Sequence, residues 1–208
     1  LHHFIGGALW DSAPLEEELC RQADALVGGS DAWLIIDDTA LPKKGRASVG
    51  VAPQYASALG KNANCQTLVS VTLASNEVPV MIGLRLFLPE SWTSDAARMD
   101  RAKVPAEARA YRTKPDIALA EIDRVRSAGV RFGGILADAG YGLSGPFRQA
   151  LTDGGIGQYD WYPMIRGRLV AINGKGVRPE DMVEERAKRL VDREFNLSHT
   201  AALPPHNE

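Results

Sequence analysis

WLIIDDTALPKKG, residues Trp33 to Gly45, is the stretch whose reading decides the fold. Four apolar residues, Trp33 to Ile36, run straight into two carboxylates, Asp37 and Asp38, followed by Thr39 and the breaker Pro42. An apolar run this short, bounded by a breaker, reads as a buried strand before a helix. Trp33 to Asp37 is therefore expected to be the central strand of a sheet, with acids at its C-terminal end. A carboxylate placed there is close to solvent while held on a rigid element, which suits a metal ligand. The plainer reading is two turn residues at a strand end. Alternation puts Leu34, Ile36 and Asp38 on one face and Trp33, Ile35 and Asp37 on the other. Both faces are apolar enough for helices to cover, so periodicity leaves the choice between Asp37 and Asp38 open.

Upstream, Ser12, Pro14 and the acids Glu16, Glu17 and Glu18 signal a helix start. Leu15, Leu19, Ala23 and Leu26 then form an apolar stripe, and Gly28 and Gly29 end it. Downstream, Lys43, Lys44, Arg46 and Lys61 concentrate positive charge in a glycine-containing loop region. That is either a solvated rim or a contact for a polyanion. Thr67 to Ser75 and Val80 to Leu88 read as an antiparallel hairpin turning at Asn76 and Glu77. Ser91 to Pro105 reads as a charged loop.

Pro115 to Gly129 carries the clearest helical pattern, with Ala118, Ile122 and Val125 as the buried stripe. Arg131 to Ala137 follows as a strand, and Asp138 ends it. A helix crossover between two strands favours a parallel pair. A second acid is thus expected at the tip of a strand beside the first. Phe147 to Leu151 is a short helix candidate. Tyr159 to Ile165 is expected as a further strand beyond Arg131 to Ala137, and Leu169 to Ile172 as a short one. Pro179 to Val191 reads as an amphipathic helix and Asn196 to Glu208 as a disordered tail. The expected organisation is 1–30 as linker and helix, 31–167 as the core, and 168–208 as a divergent helix and tail.

Composition excludes several classes. The 208 residues are 45% apolar and 24% charged, with a net charge of -2. This is no strongly basic nucleic-acid module, so contact with nucleic acid would use a local patch. Cys20 and Cys65 make neither a disulfide framework nor a zinc knot, which fits a reducing cytoplasm. No run is long and apolar enough to suggest a membrane span, and Leu1 to Trp10 has no signal-peptide layout. The chain starts without Met and reads as beginning in mid-protein. The adjacent acids lack the spacing of haloacid-dehalogenase-like phosphatases, and no serine sits in a nucleophile elbow. Neither a dinucleotide fingerprint nor a phosphate loop is complete. What remains is a pair of strand-tip acids beside a positive rim. Magnesium and manganese take carboxylate oxygens, and two such ions serve in-line phosphoryl transfer.

WLIIDDTALPKKGRASVGVAPQY, LGKNANCQ, RLFLPESWTSDAARMDRAKVP, TKPDIAL and ILADAGYG occur in that order. Together they resemble transposases of the DDE superfamily, in particular the IS4-like and IS701-like insertion-sequence transposases. HHFIGGALWDSAPL resembles their linker into the catalytic domain, and the resemblance covers Leu1 to Tyr141. It implies a ribonuclease H-like α/β core, a mixed sheet of about five strands with flanking helices, in incomplete form. It implies Asp38 as the first catalytic acid, with Asp37 as second choice, and Asp138 as the second. Asp38 and Asp138 would then ligate Mg2+ or Mn2+ for cleavage and transfer of double-stranded DNA at transposon ends. Lys43 and Lys44 match the family's basic loop, and Arg46 and Lys61 complete the candidate DNA-binding set.

The family's third carboxylate, a late helical Glu, has no match here. Glu184 and Glu185 are substitutes by position only. The expectation is a truncated or decayed catalytic domain of a prokaryotic cytoplasmic protein, with little activity alone. The alternative is a non-catalytic, vestigial or DNA-associated domain. A homodimer is left open, and no membrane is expected.

Overall fold

In the computed structural model, residues 11–56, 59–156, 164–192 and 194–198 are described. Strand β1 runs from Trp33 to Pro42 and is longer than its apolar run. The acids do not end it, because its partner continues alongside. β3 (Lys61–Ser75) pairs antiparallel with β1 over the whole length, from Trp33 opposite Ala74 to Pro42 opposite Cys65. Pro42 closes the strand as its last residue, where a missing N–H is tolerated. On its other edge β1 meets β5 (Gly134–Ala137) in parallel, from Trp33 beside Gly134 to Ile36 beside Ala137. The far edge of β3 carries two strands end to end. β2 (Ala52–Ala56) pairs with residues 61–65, and β4 (Val78–Leu86) with residues 68–75. The result is a five-stranded mixed sheet with flanking helices, a ribonuclease H-like α/β arrangement.

The hairpin between β3 and β4 turns through Asn76 and Glu77, whose φ angles are 50° and 65°. A two-residue hairpin loop needs such positive values to match the twist of its strands. One expected strand changes place. The sheet's remaining strand is β2, not residues 159–165. Of these, 159–163 lie outside the described residues. Met164 and Ile165 belong to β6 (Met164–Arg168), which pairs with β9 (Glu194–Ser198) in a separate two-stranded sheet.

Helices α1 (Ala13–Val27) and α4 (Lys114–Ser127) cover the face of the sheet that carries Leu34, Ile36, Val69, Val71, Leu73 and Ile82. From α4 come Ile117, Ala118, Ile122 and Val125, as the stripe predicts, and Gly129 at φ 76° follows its end. On α1 the expected face is rotated. Cys20, Ala23 and Val27 are buried, while Leu15 and Leu26 are 60% and 70% exposed. The cause is Glu16, which shares the inward stripe with Cys20, Ala23 and Val27 and pairs with Arg85 of β4.

That ion pair belongs to a charged layer between helices and sheet. Glu121 of α4 is buried, with Arg85 Nε at 2.7 Å and Arg124 Nη2 at 2.9 Å. Arg124 also donates to the Ile82 carbonyl at 2.8 Å. A buried carboxylate is costly unless paired and hydrogen-bonded, and two guanidiniums meet that need. Gly83 leaves the room, since a Cβ there would lie 2.6 Å from Glu121 Oε2.

The segment 91–105, expected as a loop, contains most of α2 (Glu90–Thr93) and all of α3 (Ala96–Arg101). Trp92, Met99 and Val104 pack with Val51 in a second small core. Trp92 Nε1 donates to the Val51 carbonyl at 2.8 Å, and Arg98 lies 3.7 Å over the Trp92 ring. Only three large apolar residues, Trp92, Met99 and Val104, are spread over this length among charges, a weak signal that packing turns into helices.

The chain divides into two compact units, Leu1–Gly157 and Gln158–Glu208. The sheet above lies in the first, with α5 (Ala139–Gly142) and α6 (Gly145–Asp153) after β5. α6 is longer than the expected residues 147–151. The second unit holds the β6 and β9 pair, a hairpin of β7 (Ala171–Ile172) and β8 (Lys175–Gly176), and α7 (Glu185–Asp192). The expected helix over residues 179–191 is split, with a single 3-10 turn at Pro179–Asp181 before α7. Residues 196–198, expected in a disordered tail, belong to β9, and the remainder of that tail lies outside the described residues.

β5 can sit against β1 only because glycines begin it. A Cβ on Gly133 would fall 1.8 Å from the Ser30 carbonyl oxygen, whereas one on Gly45 meets nothing within 4 Å. Gly133→Ala is expected to lower stability by about 3 kcal/mol. Gly45→Ala should change it by less than about 0.5 kcal/mol. Urea midpoints of the two variants measure this, and equal values would mean β5 is not seated as described.

Candidate metal and nucleic-acid site

Pairing between β1 and β5 stops at Ile36 and Ala137, so the two strands part at Asp37 and Asp138. Beyond that point β1 keeps β3 on one edge, and among the described residues no strand pairs with its other edge. Asp138 leaves β5 as the cap of α5, accepting from the Tyr141 N–H at 3.3 Å. Asp38 lies on the helix-covered face with Leu34 and Ile36. Its Oδ1 accepts from the Tyr141 hydroxyl at 2.5 Å, and its Oδ2 from the Lys114 ammonium at 2.5 Å. Tyr141 thus touches both acids, one through its backbone and one through its side chain. The tyrosine is 2% exposed and packs on Phe147, ring centroids 5.8 Å apart. Residues distant in sequence meet here because β1 and β5 are parallel neighbours.

Burial pushes the Tyr141 phenol well above its ordinary range, the hydrogen bond to Asp38 adds to the shift, and the charges of Asp38, Asp138 and Asp37 push the same way. The hydroxyl therefore stays protonated and serves as a fixed donor. Lys114 opens α4, just inside a capping box formed by Thr113 and Asp116. A cation at a helix N-terminus meets the unfavourable end of the helix dipole. Asp38 offsets that mismatch, and the Phe87 ring lies 5.6 Å from the ammonium. The Asp38 side chain is 27% exposed, so the site is reachable from solvent.

Asp37 faces the other side of the sheet. Its Oδ1 accepts from the Asp38 N–H at 2.7 Å, and its carbonyl accepts from Ser70 Oγ at 3.0 Å. Lys43 follows the end of β1, about 16 Å along the strand from Asp38. The turn it opens is well held. Lys43 N–H donates to the Asn64 carbonyl at 2.8 Å, and the Asn64 amide donates to the carbonyls of Lys43 and Gly45 at 2.7 and 2.8 Å. Lys44 and Arg46 project from this turn and are exposed, as is Lys61 at the start of β3. Asp38 and Asp138 both contact Tyr141, one at its hydroxyl and the other at its backbone N–H, while Asp37 lies on the opposite face and the four basic residues lie beyond the end of β1 or at the start of β3.

Glu184 and Glu185 belong to the second unit, where Glu185 opens α7 and pairs with Lys188 at 2.9 Å. Among the described residues, no group of three or more His, Cys, Asp or Glu side chains is placed to hold a metal ion. By donor chemistry Asp38 and Asp138 fit a hard divalent ion, as an all-oxygen pair rather than a closed set. Two residues of the site, Tyr141 and Lys114, were not singled out by sequence reasoning. One weak signal existed, a lysine at a helix start where an acid is the favoured charge.

Residues 1–158 match the family model described as DDE superfamily endonuclease. The chain is also 33% identical over 145 residues to a probable transposase for insertion sequence element IS701 from Microchaete diplosiphon. That alignment covers 70% of this chain and 35% of the relative, so the chain spans about a third of the protein it matches. No solved structure matches.

The Tyr141 and Asp38 contact is open to a double-mutant cycle. Tyr141→Phe should cost about 1 kcal/mol, and the cycle with Asp38→Ala should show a coupling of about 1 kcal/mol. Additive costs in chemical denaturation would mean that the two side chains do not meet in solution.

Proposed function

Because the chain belongs to the DDE superfamily endonucleases, we propose that it carries two catalytic carboxylates of an insertion-sequence transposase, Asp38 and Asp138. The activity proposed is metal-dependent cleavage and strand transfer of double-stranded DNA at transposon ends. The observation that carries this reading is the convergence of both acids on Tyr141 at the open end of the parallel β1 and β5 pair. Magnesium or manganese held by these acids would supply Lewis-acid stabilisation of a phosphoryl oxygen and lower the pKa of an attacking hydroxyl.

The chain's own residues do the positioning. β1 holds Asp38 on a rigid strand flanked by β3, and Tyr141 fixes the direction of its carboxylate. The α5 cap orients Asp138. Lys43, Lys44, Arg46 and Lys61 contribute phosphate contacts that position a duplex without reading its sequence. Asp37 is the second choice for the first acid, and its place on the opposite face argues against it. Assembly as a homodimer on paired ends, in a prokaryotic cytoplasm, belongs to the same proposal. Among the described residues no helix is long and apolar enough to cross a membrane.

A second reading is a DNA-associated domain inactive by itself. The lack of a third metal-binding side chain beside the pair, among the described residues, favours it.

Manganese separates the two readings. A ligand that binds the folded state raises its melting temperature. Asp38→Asn and Asp138→Asn are each expected to lose the Mn2+-induced rise in Tm, and Asp37→Asn to keep most of it. Loss in Asp37→Asn alone would transfer the assignment to that residue, and no rise in the parent would leave the DNA-associated reading.

DNA binding has its own test. Replacing Lys43 and Lys44 together by Ala should weaken duplex binding irrespective of sequence. The slope of log affinity against log salt should become shallower by about 2. An unchanged slope would remove both lysines from the DNA contact.

A further inference from the structure

Lys114 places its ammonium 2.5 Å from Asp38 Oδ2, and two features hold it there. Its backbone is anchored by the Thr113 and Asp116 capping box and by Pro115 in the first turn of α4. Its ammonium lies 5.6 Å from the Phe87 ring, a second favourable contact for a cation. Tyr141 already occupies Oδ1, so tyrosine and lysine between them engage both oxygens of one carboxylate. An ion ligated by this carboxylate would have to share Oδ1 with the tyrosine or Oδ2 with the lysine.

Resting on the assignment of Asp38 as a metal ligand, we propose that Lys114 is a built-in counter-cation of that ligand. It fills a coordination position on Asp38 in the metal-free protein and yields it to an arriving divalent cation, while Tyr141 keeps the carboxylate aimed. The arrangement has two consequences. Without metal, Lys114 balances the charge of Asp38. With metal, the ammonium is repelled by the ion and competes with it for Oδ2, and its flexible four-carbon stem and 31% side-chain exposure permit it to withdraw. Lys114 is thus a positioning residue that sets how readily the site loads.

The test is a Mn2+ titration of the 208-residue chain, read from the free-ion EPR signal and from the Mn2+-induced rise in Tm. Lys114→Met keeps an unbranched side chain beside Phe87 and removes the competing cation. It is expected to bind Mn2+ about threefold tighter than the parent. Lys114→Gln serves the same purpose should the methionine variant fail to fold. Arg112→Met removes a charge two positions away that does not touch Asp38, and should leave affinity unchanged. Asp38→Asn should abolish binding in the parent and in the Lys114 variants.

Equal or weaker Mn2+ affinity in the Lys114 variants, with binding still abolished by Asp38→Asn, would overturn the counter-cation role and leave the metal assignment standing. An equal gain in Arg112→Met would overturn it too, since the effect would then be general electrostatics. Binding that survives Asp38→Asn, or no binding in any variant, would overturn the metal assignment and this inference with it.

Discussion

Among the described residues, β1 has hydrogen-bonded neighbours on both edges at residues 33–36. The arrangement of the site depends on where that double pairing stops. Antiparallel pairing with β3 carries β1 onward to Pro42, so the strand keeps a hydrogen-bonded partner past the acids. Parallel pairing with β5 ends at Ala137, so the opposite edge opens where the carboxylates begin. A carboxylate buried inside a sheet would need partners on every side, and one on a loose turn would wander. The termination of β5 gives Asp38 a fixed backbone and an accessible side chain together.

The helix-covered face handles its charges in two ways. Toward β4, Glu121 is buried and matched by Arg85 and Arg124, with Glu16 completing the layer. Every member has a partner, so this cluster fastens α1, β4 and α4 and leaves no charge for chemistry. Toward the open end of β1, Asp38 meets one ammonium and one neutral hydroxyl. The tyrosine is fixed by burial, whereas the lysine is tethered by a long stem. One partner is built to stay and the other is able to leave. That asymmetry separates Asp38 from Glu121, whose partners on the same face are all guanidiniums held in a buried layer.

The other face of the sheet carries exposed apolar side chains. Trp33, Leu136 and Met81 are 43%, 47% and 51% exposed there. Asp37 shares that face with Trp33, and its carboxylate accepts from the Asp38 N–H. The adjacent acids of the DD pair therefore sit in different surroundings although one peptide bond joins them. Strand alternation is the whole cause.

The central strand, the β3 and β4 hairpin, the α4 crossover and the parallel β5 were legible in the sequence, because each rests on local rules. Short apolar runs, a two-residue turn, a capped amphipathic helix and a crossover leave little freedom. Asp138 just past the end of β5 was legible for the same reason, and the motif resemblance ranked Asp38 first, although β1 runs on past it to Pro42. What the letters did not contain was decided by packing. α1 is rotated by an inward Glu16 that needs Arg85, a residue far away in the chain. α2 and α3 exist because Trp92, Met99 and Val104 find Val51, with only a weak signal to announce them. β2, rather than a later segment, completes the sheet, since strand partners are chosen by edges that are free in space. Tyr141 and Lys114 meet Asp38 only after β5 lies beside β1. Residue types and local periods are set along the chain, but which carboxylate faces which donor depends on register and face, and these exist only once the strands are paired.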